Sequence, residues 1–176
     1  DPAATKLTVS KNVSVVLDAS LNGVELADST LVSGILSRYQ QLLQSKVSWS
    51  GAEGSPSRAA KLSMGTPALT KVTAKLTGSG DAATELGPET DESYSIAVTT
   101  DPPVATVTAA TAFGLRHGLE TLAQLVVTPQ GTIQAPITIS DRPHFAYRGL
   151  MIDTGRHFLS IDTIKRAIDG MAAMKL

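Results

Sequence analysis

"ATVTAATAFGLRHGLETLAQLV" (residues 105–126) is the stretch on which the fold turns. Read as mostly helix, it sets Gly114 and Gly118 four residues apart on one face. Each glycine costs roughly 1 kcal/mol relative to alanine in a helix interior. Close packing of that face on a neighbouring element is the natural compensation. His117 and Glu120 belong to the same segment. No H-E-x-x-H pattern accompanies them, which argues against a metal site. Glu120 reads either as the acceptor of a hydrogen bond or ion pair across a domain interface, or as a solvated helix charge.

Upstream, "KLTVSKNVSVVLD" (6–18) is rich in Val, Thr and Leu and predicts one or two strands. "ADSTLVSGILSRYQQLLQSKV" (27–47) predicts an amphipathic helix, with Leu31, Ile35, Tyr39, Leu42 and Leu43 at helical spacing and Asp28 or Ser29 as cap. "SGAEGSPSR" (50–58) is a loop. "KVTAKLT" (71–77) alternates, with Val72, Ala74 and Leu76 on one face and Lys and Thr on the other, as a half-buried strand does. "SYSIAVTT" (93–100) predicts another strand. The region 81–101 holds six acidic residues and no Lys or Arg, which suits a solvated loop and strand edge. Downstream, "GTIQAPITISD" (131–141) is extended, with Pro136 marking an edge or bend. Residues 1–140 therefore predict an α+β domain with a mostly antiparallel sheet and two main helices.

The bulk composition is globular: 176 residues, 42% hydrophobic and 18% charged. A net charge of -1 argues against nucleic acid or an anionic membrane as a partner recruited by bulk charge. The absence of cysteine rules out disulfides and thiolate sites in these residues. With three histidines, structural zinc is not expected. No apolar run is long enough to span a bilayer.

Residues 141–176 read differently. "YRGLMIDTGRHFLSIDTIKRAIDGMAAMKL" (147–176) predicts a short apolar strand buried on both faces, a polar turn and a helix. Ser160 is the expected cap. Ile161, Ile164, Ile168 and Met171 form the expected inner stripe.

Two of these segments carry a family likeness. The pattern G-L-E-T-x-x-Q-L within 111–126 and the pattern R-G-L-x-x-D-T-x-R-H-F within 141–176 resemble glycoside hydrolase family 20, the β-N-acetylhexosaminidases. "DESYSIAV" (91–98) looks like the strand preceding that family's helix. The clear likeness covers residues 91–176. It implies a zincin-like α+β domain over 1–140, followed at 141–176 by the first strand and helix of a (β/α)8 TIM barrel. The family's His-x-His-x-x-Asp-like run, Asp-Glu catalytic pair and wall of tryptophans have no counterpart in this sequence, whose single tryptophan is Trp49. The remainder of the barrel is therefore expected in the same or a separately processed polypeptide, or else to be missing. A lone parallel strand and helix cannot bury its own apolar faces.

The resemblance assigns Arg148 to the hydroxyls at C3 and C4 of a terminal N-acetylhexosamine. A planar guanidinium with several fixed donors suits that task. From residue type alone, an arginine beside a buried strand reads as a structural ion-pair partner. Asp153, Arg156 and His157 follow the strand, where the general rule for barrels places active-site residues. Asp153 is read as a group that orients arginines, and Arg156 and His157 as scaffold. The implied reaction is substrate-assisted and retaining: the 2-acetamido oxygen attacks the anomeric carbon, a glutamic acid protonates the leaving oxygen, and an aspartate orients the acetamide. No catalytic residue, metal or organic cofactor is implied in this chain. The expected partners are an N-acetylhexosamine-terminated glycan and the rest of the barrel, with room for a homodimer.

Asn12 heads an N-V-S sequon, a candidate N-glycosylation site if the protein is secreted or lysosomal/vacuolar. The alternative to an enzyme is a non-catalytic carbohydrate- or protein-binding module. The low aromatic content, 4%, counts against a free-standing sugar binder.

Overall fold

The computed structural model describes residues 4–18, 29–48, 66–80, 83–127 and 130–176. Trp49, Asp28 and the loop at 50–58 lie outside them. The described chain divides into two units, Asp1–Arg142 and Pro143–Leu176.

In the first unit the elements run β1 (Thr5–Leu17), α1 (Thr30–Ser48), β2 (Ala68–Leu76), β3 (Tyr94–Thr100), β4 (Pro103–Ala109), α2 (Ala112–Leu125), β5 (Thr132–Ala135) and β6 (Ile137–Asp141). The six strands form one sheet in the order β5-β1-β2-β4-β3-β6. Its centre is parallel, β1 with β2 and β2 with β4. Antiparallel pairs flank it, β5 on β1, β3 on β4 and β6 on β3. The expected sheet, mostly antiparallel, is in fact mixed. One of the two parallel pairs lies in the opening quotation, where residues 105–109 belong to a strand, β4, and the helix begins only at Ala112; the other sets β1 beside β2 across the intervening α1. Val and Thr alternate there as a strand requires, with Ala105, Val107 and Ala109 buried. Asp101 and Pro102 turn β3 directly into β4, with Thr100 opposite Pro103.

β5 and β6 lie on opposite edges of the sheet, yet Pro136 alone joins them. Six flat strands would separate those edges by about 24 Å at ~4.8 Å per spacing, whereas one linking residue reaches only about 7 Å. The sheet must therefore twist and curl until its edges converge, and β3 does touch β5. One face packs on α1 and α2, which also pack on each other. The face of Val72, Ala74 and Leu76 is buried there, as the alternation at 71–77 predicts, and Lys71, Thr73 and Lys75 take the opposite face.

α1 buries Val32, Ile35, Tyr39, Leu43 and Val47. Leu31, expected on that stripe, is 38% exposed, because the inner face is rotated one residue toward Val32. Ser29 opens this helix through its carbonyl, which accepts from the Ser33 N–H at 3.0 Å. Thr111 caps α2, its hydroxyl accepting from the Gly114 N–H at 3.1 Å and donating to the Asp91 carbonyl at 2.6 Å.

In the second unit, α3 (Ile161–Ala173) forms where the sequence places it, with Ser160 accepting from the Thr163 N–H at 3.3 Å. Residues 147–153 carry no strand pairing among the described residues, and Leu150 and Met151 are exposed, against the expected buried strand. A strand exists only by pairing, and no neighbouring strand is present for "LMI" in this unit. For the same reason the intended inner stripe of α3 is uncovered: no residue of the helix is buried, and Ile161 and Ile168 are exposed.

Candidate functional site

The sequence singles out a cluster in the second unit and polar side chains of α2 in the first. In the second unit, the Arg148 Nε–H donates to the Lys175 carbonyl at 2.8 Å and its Nη1 to the Phe145 carbonyl at 2.5 Å. The arginine thus ties the start of the unit to the turn that follows α3, where Lys175 has a left-handed φ of 61°. Asp153 organises the polar turn. Its Oδ1 accepts from the N–H groups of Gly155 at 2.9 Å and Arg156 at 3.2 Å, a local arrangement typical of aspartate in turns. Its Oδ2 pairs with Arg156 Nε at 3.4 Å. Asp153 and Arg156 are thus paired locally, three residues apart in one turn. The pair is exposed, and at such exposure it contributes about 0–1 kcal/mol. His157 is exposed beside it.

In the first unit, residues 91–94 run along one face of α2. Thr111 binds the Asp91 carbonyl, His117 Nε2 meets Glu92 Oε1 at 2.8 Å, and the Tyr94 hydroxyl meets Thr121 at 2.8 Å. Gly114 and Gly118 mark the closest approach. A Cβ on Gly114 would sit 2.4 Å from the Ser93 carbonyl oxygen, and one on Gly118 would sit 2.4 Å from Val107 Cγ1. The predicted close packing of the two glycines is present. The predicted solvated acidic loop holds only in part, since Glu92 is drawn onto α2 by His117.

Glu120 is 7% exposed, which excludes a solvated helix charge. It accepts from the Tyr39 hydroxyl of α1 at 2.9 Å, a bond that joins two helices of one unit and not two domains, and from Gln124 of its own helix at 3.0 Å. Sequence reading missed this Tyr39–Glu120 bond, because Tyr39 looked like one more apolar position of an amphipathic stripe. Burial, reinforced by the Glu120 carboxylate, pushes the Tyr39 hydroxyl well above its ordinary pKa. Burial and the hydrogen bond to Asp141, 2.5 Å long, push Tyr94 up to about 12. Hydrogen bonds from Ser93 lower the Asp91 pKa. Among the described residues, no group of three His, Asp or Glu is placed to hold a metal ion. A depression of about 360 Å³ on the open sheet face is lined by Val16, Leu17, Asp18, Lys71, Thr73, Lys75 and Thr106, with Lys75 paired to Asp18 at 3.5 Å.

Comparison with known proteins separates the same two regions. Residues 2–125 match the family model described as beta-acetyl hexosaminidase like, and residues 145–176 match the catalytic domain of glycosyl hydrolase family 20. A chitooligosaccharidolytic β-N-acetylglucosaminidase of Bombyx mori is 43% identical over 112 residues, covering 60% of this chain and 19% of that protein. The β-hexosaminidase subunit beta of Mus musculus is 38% identical over 111 residues, covering 62% and 20%. The chain thus spans about a fifth of the length of such relatives. Among solved structures, the Flavobacterium johnsoniae chitobiase aligns over 100% of this chain and 24% of its own, at 29% identity and a TM-score of 0.67. The Streptomyces plicatus N-acetyl-β-hexosaminidase aligns over 99% and 31%, at 25% identity and a TM-score of 0.63. From these matches, the chain belongs to glycoside hydrolase family 20 and carries the family's β-acetyl hexosaminidase-like region together with part of its catalytic domain.

Proposed function

We propose that this chain is the N-terminal part of a β-N-acetylhexosaminidase, a glycoside hydrolase that removes terminal non-reducing N-acetylhexosamine from glycoconjugates or chitooligosaccharides. The observation that carries this reading is the order of two matches in one chain: the N-terminal family region over 2–125, then the catalytic-domain model beginning at 145. Relatives named for chitooligosaccharides and for hexosaminidase activity support the glycan as substrate. In this reading, residues 1–140 are the N-terminal, zincin-like domain. Residues 141–176 are the first strand and helix of the catalytic TIM barrel, and neighbouring barrel strands would pair with 149–152 and cover α3. The reaction is substrate-assisted and retaining, and its catalytic Asp-Glu pair lies outside these residues. The protein is proposed to be secreted or lysosomal/vacuolar, with a homodimer as one arrangement.

Arg148 is proposed to grip the terminal sugar through the hydroxyls at C3 and C4, with Asp153 orienting nearby arginines and Arg156 and His157 as scaffold. A guanidinium carries five donors, so holding the carbonyls of Phe145 and Lys175 and holding sugar hydroxyls are compatible tasks. The test is Arg148→Lys in the whole enzyme, which keeps the charge and loses the planar fork. Each lost hydrogen bond to a charged donor costs on the order of 1.5–3 kcal/mol. Hydrolysis of aryl N-acetyl-β-hexosaminides should fall at least about tenfold. Wild type should lose much more activity than the variant on a sugar lacking the C4 hydroxyl. Equal losses in both, or normal kinetics with a large drop in melting temperature, would make Arg148 a brace of Phe145 and Lys175 only.

One observation favours a second reading, a non-catalytic module: every buried apolar side chain of the described core belongs to the first unit. Intact mass of the native protein under denaturing conditions separates the two. A barrel-sized chain, continuous or co-purifying, supports the enzyme, and a lone 18.3 kDa species supports the module.

A further inference from the structure

We propose that Asn12 is an N-glycosylation site, built into the fold by an excursion of β1 out of its ladders. Between Val9, opposite Leu69, and Ser14, opposite Lys71, β1 advances five residues while β2 advances two, so three residues of β1 are extra. On its other side, β1 pairs with β5 only over Thr5–Thr8. Residues 10–13 therefore belong to neither ladder. Val9 and Val13, 4% and 0% exposed, anchor the two ends of the excursion in the core. The Gln44 side chain of α1 holds the Val13 carbonyl at 3.1 Å. Between the anchors the backbone stays extended but out of register, the Asn12 N–H donating to the Ser10 hydroxyl at 3.1 Å, and Lys11 and Asn12 stand exposed. A regular strand would alternate its side chains across the sheet and hold Asn12 within the pairing register. The bulge instead presents the amide at a point where a bulky substituent displaces no ladder hydrogen bond.

The sequon Asn12–Ser14 is the only one in the sequence, so a glycan on these residues has a single address. The donor is a lipid-diphosphate-linked oligosaccharide. Asn12 Nδ2 forms a bond to the anomeric carbon as the bond from that carbon to the phosphate oxygen breaks. The lipid diphosphate leaves with the electron pair, and the displaced amide proton passes to a base. The modification is bulky, solubilising and confined to surfaces, and the folded position of Asn12 accommodates it.

The test has two arms. In the first, the gene product with its own flanking sequence is translated behind a secretory signal in the presence of endoplasmic-reticulum microsomes, which reads transfer independently of folding. In the second, it is secreted from a eukaryotic host and digested with trypsin, releasing residues 12–38 between Lys11 and Arg38. The expected result is a glycan mass on that peptide, absent when the intact denatured protein is treated with peptide:N-glycosidase before trypsin, which converts the asparagine to aspartate while it is still flanked on both sides. Asn12→Gln and Ser14→Ala should abolish it, and Ser14→Thr should retain it. An unmodified Asn12 in microsomes for both wild type and Ser14→Thr overturns the proposal. So does a secreted pool that is unmodified at Asn12 while the glycosylated form is retained and degraded.

Discussion

Gly118 shows how a single missing methyl sets a packing distance. With Val107 and Tyr94 against it, Gly118→Leu should destabilise the protein by roughly 1–3 kcal/mol through overpacking, read in a denaturant melt. Gly34 in α1 is the contrast: nothing lies within 4 Å of a Cβ built there. Gly34→Ala should raise stability by up to about 1 kcal/mol, because only the helix-propensity term remains. Tyr39→Phe removes the donor to a buried carboxylate oxygen of Glu120 and should cost about 1–3 kcal/mol. Tyr94 makes a pH prediction. Its pKa is raised from 10.0 to about 12 in the folded state, so the native state holds the proton longer than the unfolded chain. Its contribution is complete below about pH 10 and is lost as pH rises toward about 12. Over that window, melting temperature should fall less steeply in Tyr94→Phe than in wild type, although the variant starts lower for want of the Asp141 and Thr121 bonds.

At the scale of elements, α2 is the most heavily specified part of the chain. Its cap, its two glycines, His117 and Thr121 all meet residues 91–94 in turn along one face. Thr111→Ala removes both the cap and the bond to the Asp91 carbonyl. It should cost about 0.5–2 kcal/mol, and amide exchange should quicken in the first turn of α2 before it does in the last. The body of this helix was legible in the sequence because helix-interior glycines and side-chain spacing are local signals; its Thr111 cap and its start at Ala112 were not. β4, immediately before it, was not. Five residues of Val, Thr and Ala next to a long helical pattern look like its first turn, and what makes them a strand is pairing with β2 and β3, which are distant in sequence or lie beyond a turn.

For the whole molecule, all the apolar core lies in the first unit, and the second exposes Phe145, Tyr147, Met151 and Phe158. A chain ending at Arg142 should therefore unfold cooperatively with a melting temperature within about 4 °C of residues 1–176, the shift that ~1 kcal/mol makes at this size. In residues 1–176 alone, the amides of 149–152 should exchange rapidly, while those of β2 and β4 at the sheet centre exchange slowest. Strong protection of 149–152 without a partner would show that the segment pairs within this chain.

The sequence by itself determined the α+β class, the two helices of the first unit, the one-sided strand at 71–77, the cap at Ser160, and the two motifs that identify the family. Each depends on residues close together in the chain, where side-chain period and capping chemistry act directly. Tertiary structure alone decided the parallel centre of the sheet, the convergence of its edges through Pro136, the Tyr39–Glu120 bond, and the bulge that turns Asn12 outward. These depend on which distant strand supplies the hydrogen bonds and on which face a helix packs. Strand pairing is a contact between remote residues, so "LMI" stands unpaired in this structure although its apolar run predicts a strand.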